Sequence, residues 1–401
     1  MSLLVQNPMD PKLNPYSPGA GAPPPEMAGR DSVLTDAEVA IVRTRDGRHA
    51  KGQLLLGLRG VGKTVLLSEI RETARRQNAR VILVEAPEGR SLASLLAPLV
   101  RGLLLQLDRG EQVSHQVREA LRTLRSFAGA FRLAIGDLEF GIDPEPGRAD
   151  SGSLDMDLPD LFESVATAAQ SRQTAVVLLI DEVQYLGERD LGALIAALHR
   201  VAQRSLPMVF FGAGLPQLAG LVGEAKSYAE RMFDYPSIGP LNDDDARDAL
   251  RAPALRHGAD YETAALDLIL DATRGYPYFL QEWGKHAWNV SAGPVVTESD
   301  AHVASERAVR ELDGGFFRVR LDRLTPREKE YVRAMAELGP GPHRSGEIAD
   351  ALGMKVQAAG SLRGGLIRKG MIYSPAHGDT AFTVPMFDAF MRRTMPWPAE
   401  G

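Results

Sequence analysis

The chain has 401 residues, of which 44% are hydrophobic and 24% charged, with a net charge of −6. This is ordinary globular usage spread over two or three domains, and it excludes global disorder. There is no cysteine, which excludes disulfides, thiolate zinc sites, iron–sulfur clusters and a cysteine nucleophile. No apolar run reaches the roughly 18–20 residues that a bilayer-spanning helix needs, and no basic segment followed by an apolar one opens the chain, so a cytoplasmic location without membrane contact is expected.

Residues 1–28 concentrate Pro, Gly and Asn, as in Asn14-Pro15-Tyr16-Ser17-Pro18-Gly19 and Pro23-Pro24-Pro25, and predict an extended arm. From residue 53 onward short apolar runs alternate with helical patterns, as in a mainly parallel sheet flanked by helices. Strands are predicted at 53–56, 81–85, 175–180, 207–211 and 234–238, and helices near 63–77, 91–107, 112–127, 158–171, 189–205 and 216–231. Residues from 131 to about 157 interrupt this order: 131–142 alternates like a hairpin and the rest is rich in Pro, Gly and Asp, so the piece reads as an insertion in a core covering 29–240. After Pro240 three helical patterns, 243–256, 262–273 and 277–290, predict a small helical lid over 241–296. A connecting helix follows at 297–312, in a linker that runs to residue 323.

The last segment, 324–399, opens on Leu324-Thr325-Pro326-Arg327-Glu328, where Thr325 can cap a helix, Pro326 fits its first turn and Glu328 completes a capping box. Helices are predicted at 325–338, at 345–352 with Ser345 as its cap, and at 356–369 with Leu362, Leu366 and Ile367 facing inward. Two short runs, 371–374 and 381–384, flank Pro375-Ala376-His377-Gly378-Asp379 and read as a hairpin. Residues 317–399 hold 13 Lys plus Arg against 8 Asp plus Glu, a local balance of +5, and with Glu400 outside both spans residues 1–316 carry −10. Such asymmetry points to a polyanion at the basic end, or to chance.

The chemistry is concentrated in two places. Gly57-Leu58-Arg59-Gly60-Val61-Gly62-Lys63-Thr64 matches G-x-x-x-x-G-K-[ST] at every defined position and lies between a predicted strand and a predicted helix. Glycines let such a loop turn its backbone N–H groups toward phosphates at a helix N-terminus. Gly57, Arg59, Gly60, Val61, Gly62, Lys63, Thr64 and the following Val65 are therefore the candidate nucleotide-binding segment, with ATP and Mg²⁺ as ligands. Lys63 balances the terminal phosphates and Thr64 offers a hydroxyl to the Mg²⁺. The second place is Ala175-Val176-Val177-Leu178-Leu179-Ile180-Asp181-Glu182, an apolar strand that delivers two carboxylates to the sheet's carboxyl edge. Asp181 is placed to hold the metal shell, and Glu182 to orient and deprotonate a water attacking the γ-phosphate.

These residues resemble the AAA+ and related STAND-type P-loop ATPases, over about Ala28 to Val290 and on into the C-terminal domain. The resemblance implies a three-layer α/β P-loop NTPase core with a helical lid. It implies that Gly29 and Arg30, ahead of the first strand, help to seat the adenine. It places an arginine finger at Arg231 in Glu230-Arg231-Met232-Phe233, with a solvated bystander as the alternative. In Arg274-Gly275-Tyr276-Pro277 it brings Arg274 toward the γ-phosphate and Pro277 toward the adenine, against a plain helix junction. One departure is plain: the fourth strand ends in Phe211-Gly212-Ala213-Gly214-Leu215-Pro216, with no Asn or Thr where a first sensor is expected, which implies slow hydrolysis or substitution by Gln217. Three helices and a hairpin resemble the winged helix-turn-helix fold, as in replication-origin initiators and archaeal-type STAND ATPases. Its third helix would present Lys355, Gln357, Ser361, Arg363 and Arg368 to double-stranded DNA. Gly360, Gly364 and Gly365 weaken that helix, and such domains also dock proteins. Lone histidines such as His199 and His343 form no metal-ligand pattern.

Three readings follow: an ATP-dependent switch whose winged helix contacts DNA, a signalling NTPase whose winged helix binds a protein partner, and a nucleotide binder with negligible turnover. A homo-oligomer enters only through Arg231, because a finger acts on a neighbour's ATP.

Overall fold

The computed structural model describes residues 9–19, 21–108, 114–133 and 147–397. These divide into two compact units, one formed from Asp31–Leu56 and Lys63–Ser237, the other from Met1–Arg30, Gly57–Gly62 and Ile238–Gly401.

The first unit is an α/β layer structure. It runs α1 (Asp31–Arg45), β1 (Gly52–Leu56), α2 (Lys63–Arg76), β2 (Arg80–Glu85), α3 (Leu92–Leu107), α4 (His115–Ala130), α5 (Leu154–Ser171), β3 (Val176–Asp181), α6 (Glu188–Gln203), β4 (Met208–Gly214), α7 (Leu218–Ala225) and β5 (Phe233–Asp234). The strands form one parallel sheet in the order β2-β3-β4-β1-β5. Every residue of β3 is buried, which is why it reads as an unbroken apolar run: a parallel strand has helices on both faces. β4 lies between β3 and β1, so the carboxyl ends of β1, β3 and β4 are neighbours on one edge. Gly52, at the start of β1, and Gly212, in β4, allow close packing between strands, since a Cβ at Gly52 would meet the Phe210 carbonyl oxygen at 2.0 Å and one at Gly212 would meet Leu54 at 2.7 Å.

Three local expectations change. The single helix expected over 216–231 is α7 followed by a separate 3₁₀ turn, Ala229–Arg231, because Lys226 is extended with φ −152°. The fifth strand is only Phe233–Asp234, and beyond Pro236 pairing resumes as one bridge between Ser237 and Leu56. The hairpin expected at 131–142 falls mainly outside the described residues. Its first residues, 131–133, leave α4 as a turn, and the end of the expected insertion is already helical, since α5 begins at Leu154.

The second unit contains α8 (Asp243–Arg256), β6 (Asp260–Tyr261), α9 (Thr263–Thr273), α10 (Pro277–Val290), β7 (Val295–Val296), α11 (Glu298–Leu312), a π turn (Asp313–Phe317), α12 (Arg318–Asp322), α13 (Pro326–Glu337), β8 (His343–Arg344), α14 (Ser345–Ala351), α15 (Val356–Arg368), β9 (Ile372–Tyr373), β10 (Asp379–Phe382) and α16 (Phe387–Thr394). Strands β8, β10 and β9 form an antiparallel sheet beside α13, α14 and α15. One hydrophobic core runs through the whole unit, from Met9 and Tyr16 of the N-terminal segment through Trp283 and Phe317 to Phe387 and Phe390. The capping box at α13 forms as its sequence spells it, with the Thr325 N–H 2.7 Å from Glu328 Oε2. At α14 the cap is Arg344 rather than Ser345, which is the first helical residue and donates its hydroxyl to the Gly378 carbonyl at 2.9 Å. Among the described residues no helix is long and apolar enough to cross a membrane.

Candidate nucleotide-binding site

The loop 57–62 has the backbone its sequence requires. Gly60 and Gly62 have φ of +83° and +93°, and a Cβ at Gly57 would stand 2.1 Å from the Ile238 carbonyl oxygen. Several partners hold the loop from outside. The Tyr278 N–H donates to the Gly60 carbonyl at 3.2 Å, and the Arg59 N–H donates to the Thr383 carbonyl at 3.0 Å. The Arg30 guanidinium donates to the Gly239 carbonyl at 2.5 Å and to the Val61 carbonyl at 3.4 Å. Burial lowers the pKa of Arg30, and Asp245 opposes that shift. Gly29 has φ +66° and no room for a Cβ, which would meet Asp245 Oδ2 at 2.3 Å. Arg30 thus fastens the loop's backbone, and Gly29 packs against Asp245. The loop is also tied to the π turn: the Tyr278 ring stacks on Phe316 at 4.8 Å and the Arg320 guanidinium lies 3.8 Å above the same ring. Burial first, then the nearby Arg59 guanidinium, pushes Arg320 down to about 10.

Within the α/β unit, Lys63 is buried at the start of α2, Thr64 is exposed and Val65 half-buried. The Thr64 hydroxyl donates to Asp181 Oδ2 at 2.5 Å, and Asp181 Oδ1 accepts the Glu182 N–H at 2.8 Å. Burial raises the Asp181 carboxyl above its ordinary range, while the Thr64 hydroxyl, the Glu182 N–H and Lys63 pull it down. A hydroxyl in contact with a buried carboxylate is a donor set of hard oxygens, and it fits Mg²⁺.

Glu182 is held in the left-handed region, φ 53° and ψ 40°. One of its carboxylate oxygens accepts from the side-chain amide of Gln184, whose own oxygen accepts the Leu215 N–H at 3.1 Å. Gln184 escaped the sequence reading because its two partners are read by no local periodicity; its spacing of three from Asp181 was the available signal. Gln217, the alternative to slow hydrolysis for the missing first sensor, is the N-cap residue of α7, with a buried side-chain oxygen that has no hydrogen-bond partner among the described residues.

Arg231 is exposed at the end of its 3₁₀ turn. Arg274 is exposed as the left-handed C-cap of α9, with φ 51°. Gly275 follows at φ +68°, packed so closely that a Cβ would meet the Leu241 carbonyl oxygen at 2.4 Å, and Pro277 starts α10. On α15, Gln357, Ser361 and Arg368 are exposed, as is Lys355 at its N-cap. Arg363 is half-buried. Its Nε donates to Thr380 Oγ1 at 2.9 Å and its Nη2 to Ser374 Oγ at 2.8 Å and to the Asp379 carbonyl at 3.0 Å, so these groups face the β9–β10 hairpin. A second grouping unseen in the sequence brings ligand atoms of Glu282, His286 and Glu311 within 4.8 Å of one another. Lys285 already balances it, at 2.6 Å from Glu311 and 3.7 Å from Glu282.

A parallel sheet with a phosphate-loop motif after β1 and a carboxylate pair at the end of β3 defines a P-loop NTPase. Residues 26–211 match the family of the AAA ATPase domain, and residues 314–391 match a domain of unknown function. The chain is 21% identical over 371 residues to an uncharacterised HTH-type transcriptional regulator of Methanocaldococcus jannaschii, covering 89% of this chain and 86% of that protein. Among solved structures it is similar to a Walker-type ATPase of Pyrococcus abyssi, with a TM-score of 0.53, 17% identity and coverage of 91% of this chain and 96% of that one. It also aligns with RuvB of Thermotoga maritima at a TM-score of 0.47, 14% identity and coverage of 92% and 96%.

Proposed function

We propose that this protein is a cytoplasmic, Mg²⁺-dependent ATPase that works as a nucleotide switch and passes its state to double-stranded DNA through a C-terminal winged helix. The observation that carries the ATPase reading is the 2.5 Å contact between Thr64 Oγ1 and Asp181 Oδ2, the two side chains that would hold the metal. When bound there, Mg²⁺ supplies positive charge to the phosphate oxygens. The N–H groups of residues 60–64 donate to the phosphates, and the buried Lys63 ammonium balances the terminal charge. Glu182 takes the proton of the attacking water through its carboxylate. Arg30 holds the loop in the shape that accepts the nucleotide, while Gly29 beside it, Arg274 and Pro277 remain candidates for the adenine and γ-phosphate sides.

The DNA reading is supported by α13, α14, α15 and the β8-β10-β9 sheet, which have the order of a winged helix, and by the exposed Lys355, Gln357, Ser361 and Arg368. The relative from M. jannaschii carries an HTH-type name. One observation favours the rival, a winged helix that docks a protein: Arg363, in the middle of the third helix, is engaged internally. ATPase rates with and without duplex DNA test the proposal. Turnover that depends on Mg²⁺ and responds to duplex is the expected result. Turnover with no duplex binding at any salt supports the protein-docking reading, and absent ATP binding sinks both.

A further inference from the structure

The edge of the sheet has an unusual vacancy of chemistry and an unusual replacement for it. β4 closes on Gly212, Ala213 and Gly214, with Leu215 next in the chain, so it points no polar side chain at Glu182. What it does offer is the backbone N–H of Leu215, and Gln184 takes it up at 3.1 Å. A backbone N–H can only donate, so the amide oxygen of Gln184 must face Leu215 and its NH₂ must face Glu182. That NH₂ donates to Oε2 of the Glu182 carboxylate. Gly214 makes the arrangement possible, since a Cβ there would stand 2.6 Å from Gln184 Oε1. The backbone adds to it: Gln184 sits in the 3₁₀ turn Val183–Tyr185, which starts directly after the left-handed Glu182. A non-glycine residue in that region costs free energy and persists where surrounding contacts hold it.

We propose that Gln184 is the positioning residue of Glu182, carrying the end of β4 to the carboxylate through one side-chain amide and replacing the polar side chain that β4 lacks. The inference rests on the reading of Glu182 as the base. Both halves of the amide are needed: the oxygen fixes the side chain to the end of β4, and the NH₂ fixes the orientation of the carboxylate.

Two substitutions separate this from a packing role. Gln184→Met keeps the length and removes both hydrogen bonds, whereas Gln184→Glu, differing by one atom, keeps the acceptor for Leu215 and removes the donor toward Glu182. Both should retain the parent's ATP affinity and KM within about twofold while kcat falls by about 10- to 100-fold, a part of the roughly 10²- to 10⁴-fold that general-base assistance supplies. In a Glu182→Gln background, Gln184→Met should lower the residual rate by less than about twofold, because the group it positions is gone. Parent turnover in both Gln184 variants, with Glu182→Gln inactive, overturns the role of Gln184 and leaves Glu182 in place. An equal loss from Gln184→Met with and without Glu182→Gln also overturns it, since the effect then passes through the fold. Parent turnover in Glu182→Gln itself removes the base, and this proposal with it.

Discussion

Gly284 lies beneath the ring of Tyr16, where a Cβ would stand 2.7 Å from the nearest ring carbon. Tyr16 is only 4% exposed, its hydroxyl donates to the Leu250 carbonyl, and Tyr261 donates to that hydroxyl at 2.9 Å. The Trp288 indole N–H reaches the Asp10 carbonyl at 3.0 Å, and Asn14 Nδ2 reaches the Lys285 carbonyl at 3.0 Å. The proline-rich segment is therefore part of the core of the helical unit. Tyr16→Ala should cost about 3–5 kcal/mol of stability, the range for removing a large buried aromatic. Gly284→Ala should cost about 1–3 kcal/mol in the parent by overpacking. In the Tyr16→Ala background it should stabilise by about 1 kcal/mol, because alanine is the better helix former once the ring has gone. Urea denaturation of the four proteins reads that change of sign, and strictly additive effects would refute the contact.

At the nucleotide, Lys63 and Asp181 should fail in different ways. Lys63→Ala removes the charge that balances the terminal phosphates, so ATP affinity falls whether or not Mg²⁺ is present. Asp181→Asn removes one side of the hydroxyl–carboxylate pair, so affinity without Mg²⁺ should change little and the gain on adding Mg²⁺ should vanish. Titrations of ATP in Mg²⁺ and in a chelator distinguish the two. Unchanged Mg²⁺ dependence in Asp181→Asn would move the metal elsewhere.

How much of this was legible in the sequence depends on whether the signal is local. β3 was, because every residue of Val176–Asp181 is buried and a strand covered on both faces has no polar alternation. The phosphate loop was, because its glycines encode backbone angles directly. α1 was not: its buried face is Ala37, Ala40, Ile41 and Thr44, too small and too polar to stand out as an apolar stripe. α16 was missed as an eight-residue element that follows a left-handed Met386, although Phe387, Phe390 and Met391 fill the core. Gln184 and Arg363 mark the other limit. Each is defined by a partner across the fold, the Leu215 N–H in one case and Thr380 with Ser374 in the other, and no window of sequence contains that information.

Arg231 is a prediction about assembly. It is exposed, and a finger serves a neighbour's nucleotide only when subunits meet. Specific ATPase activity should then rise with protein concentration, and Arg231→Ala should abolish the rise while leaving ATP affinity intact. Activity that is flat with concentration, together with a parent rate in Arg231→Ala, would reject the finger and favour a monomeric switch.

The two arginines of α15 should separate when DNA binding is measured, because one points outward and the other is engaged by the hairpin. Arg368 is exposed on the last turn of the helix, so Arg368→Ala should weaken binding to all duplexes alike and lower the magnitude of the log–log salt slope by about 1, the signature of one lost phosphate contact. If Arg368 reads a guanine instead, its loss costs roughly 1–3 kcal/mol and relaxes preference at a single base pair. Arg363 is different. Its removal leaves Thr380 Oγ1, Ser374 Oγ and the Asp379 carbonyl without their shared donor, so Arg363→Ala should lower stability by about 1–3 kcal/mol and weaken DNA binding with the salt slope unchanged. ATP affinity should be the same in both variants, because neither touches Lys63, Thr64 or Asp181. Fluorescence anisotropy with duplex DNA at two salt concentrations, beside thermal melts, reads all of these. Equal salt slopes for Arg368→Ala and the parent would remove Arg368 from the interface, and no binding by the parent at low salt, with or without ATP, would overturn the DNA reading and leave a protein as the partner of the winged helix.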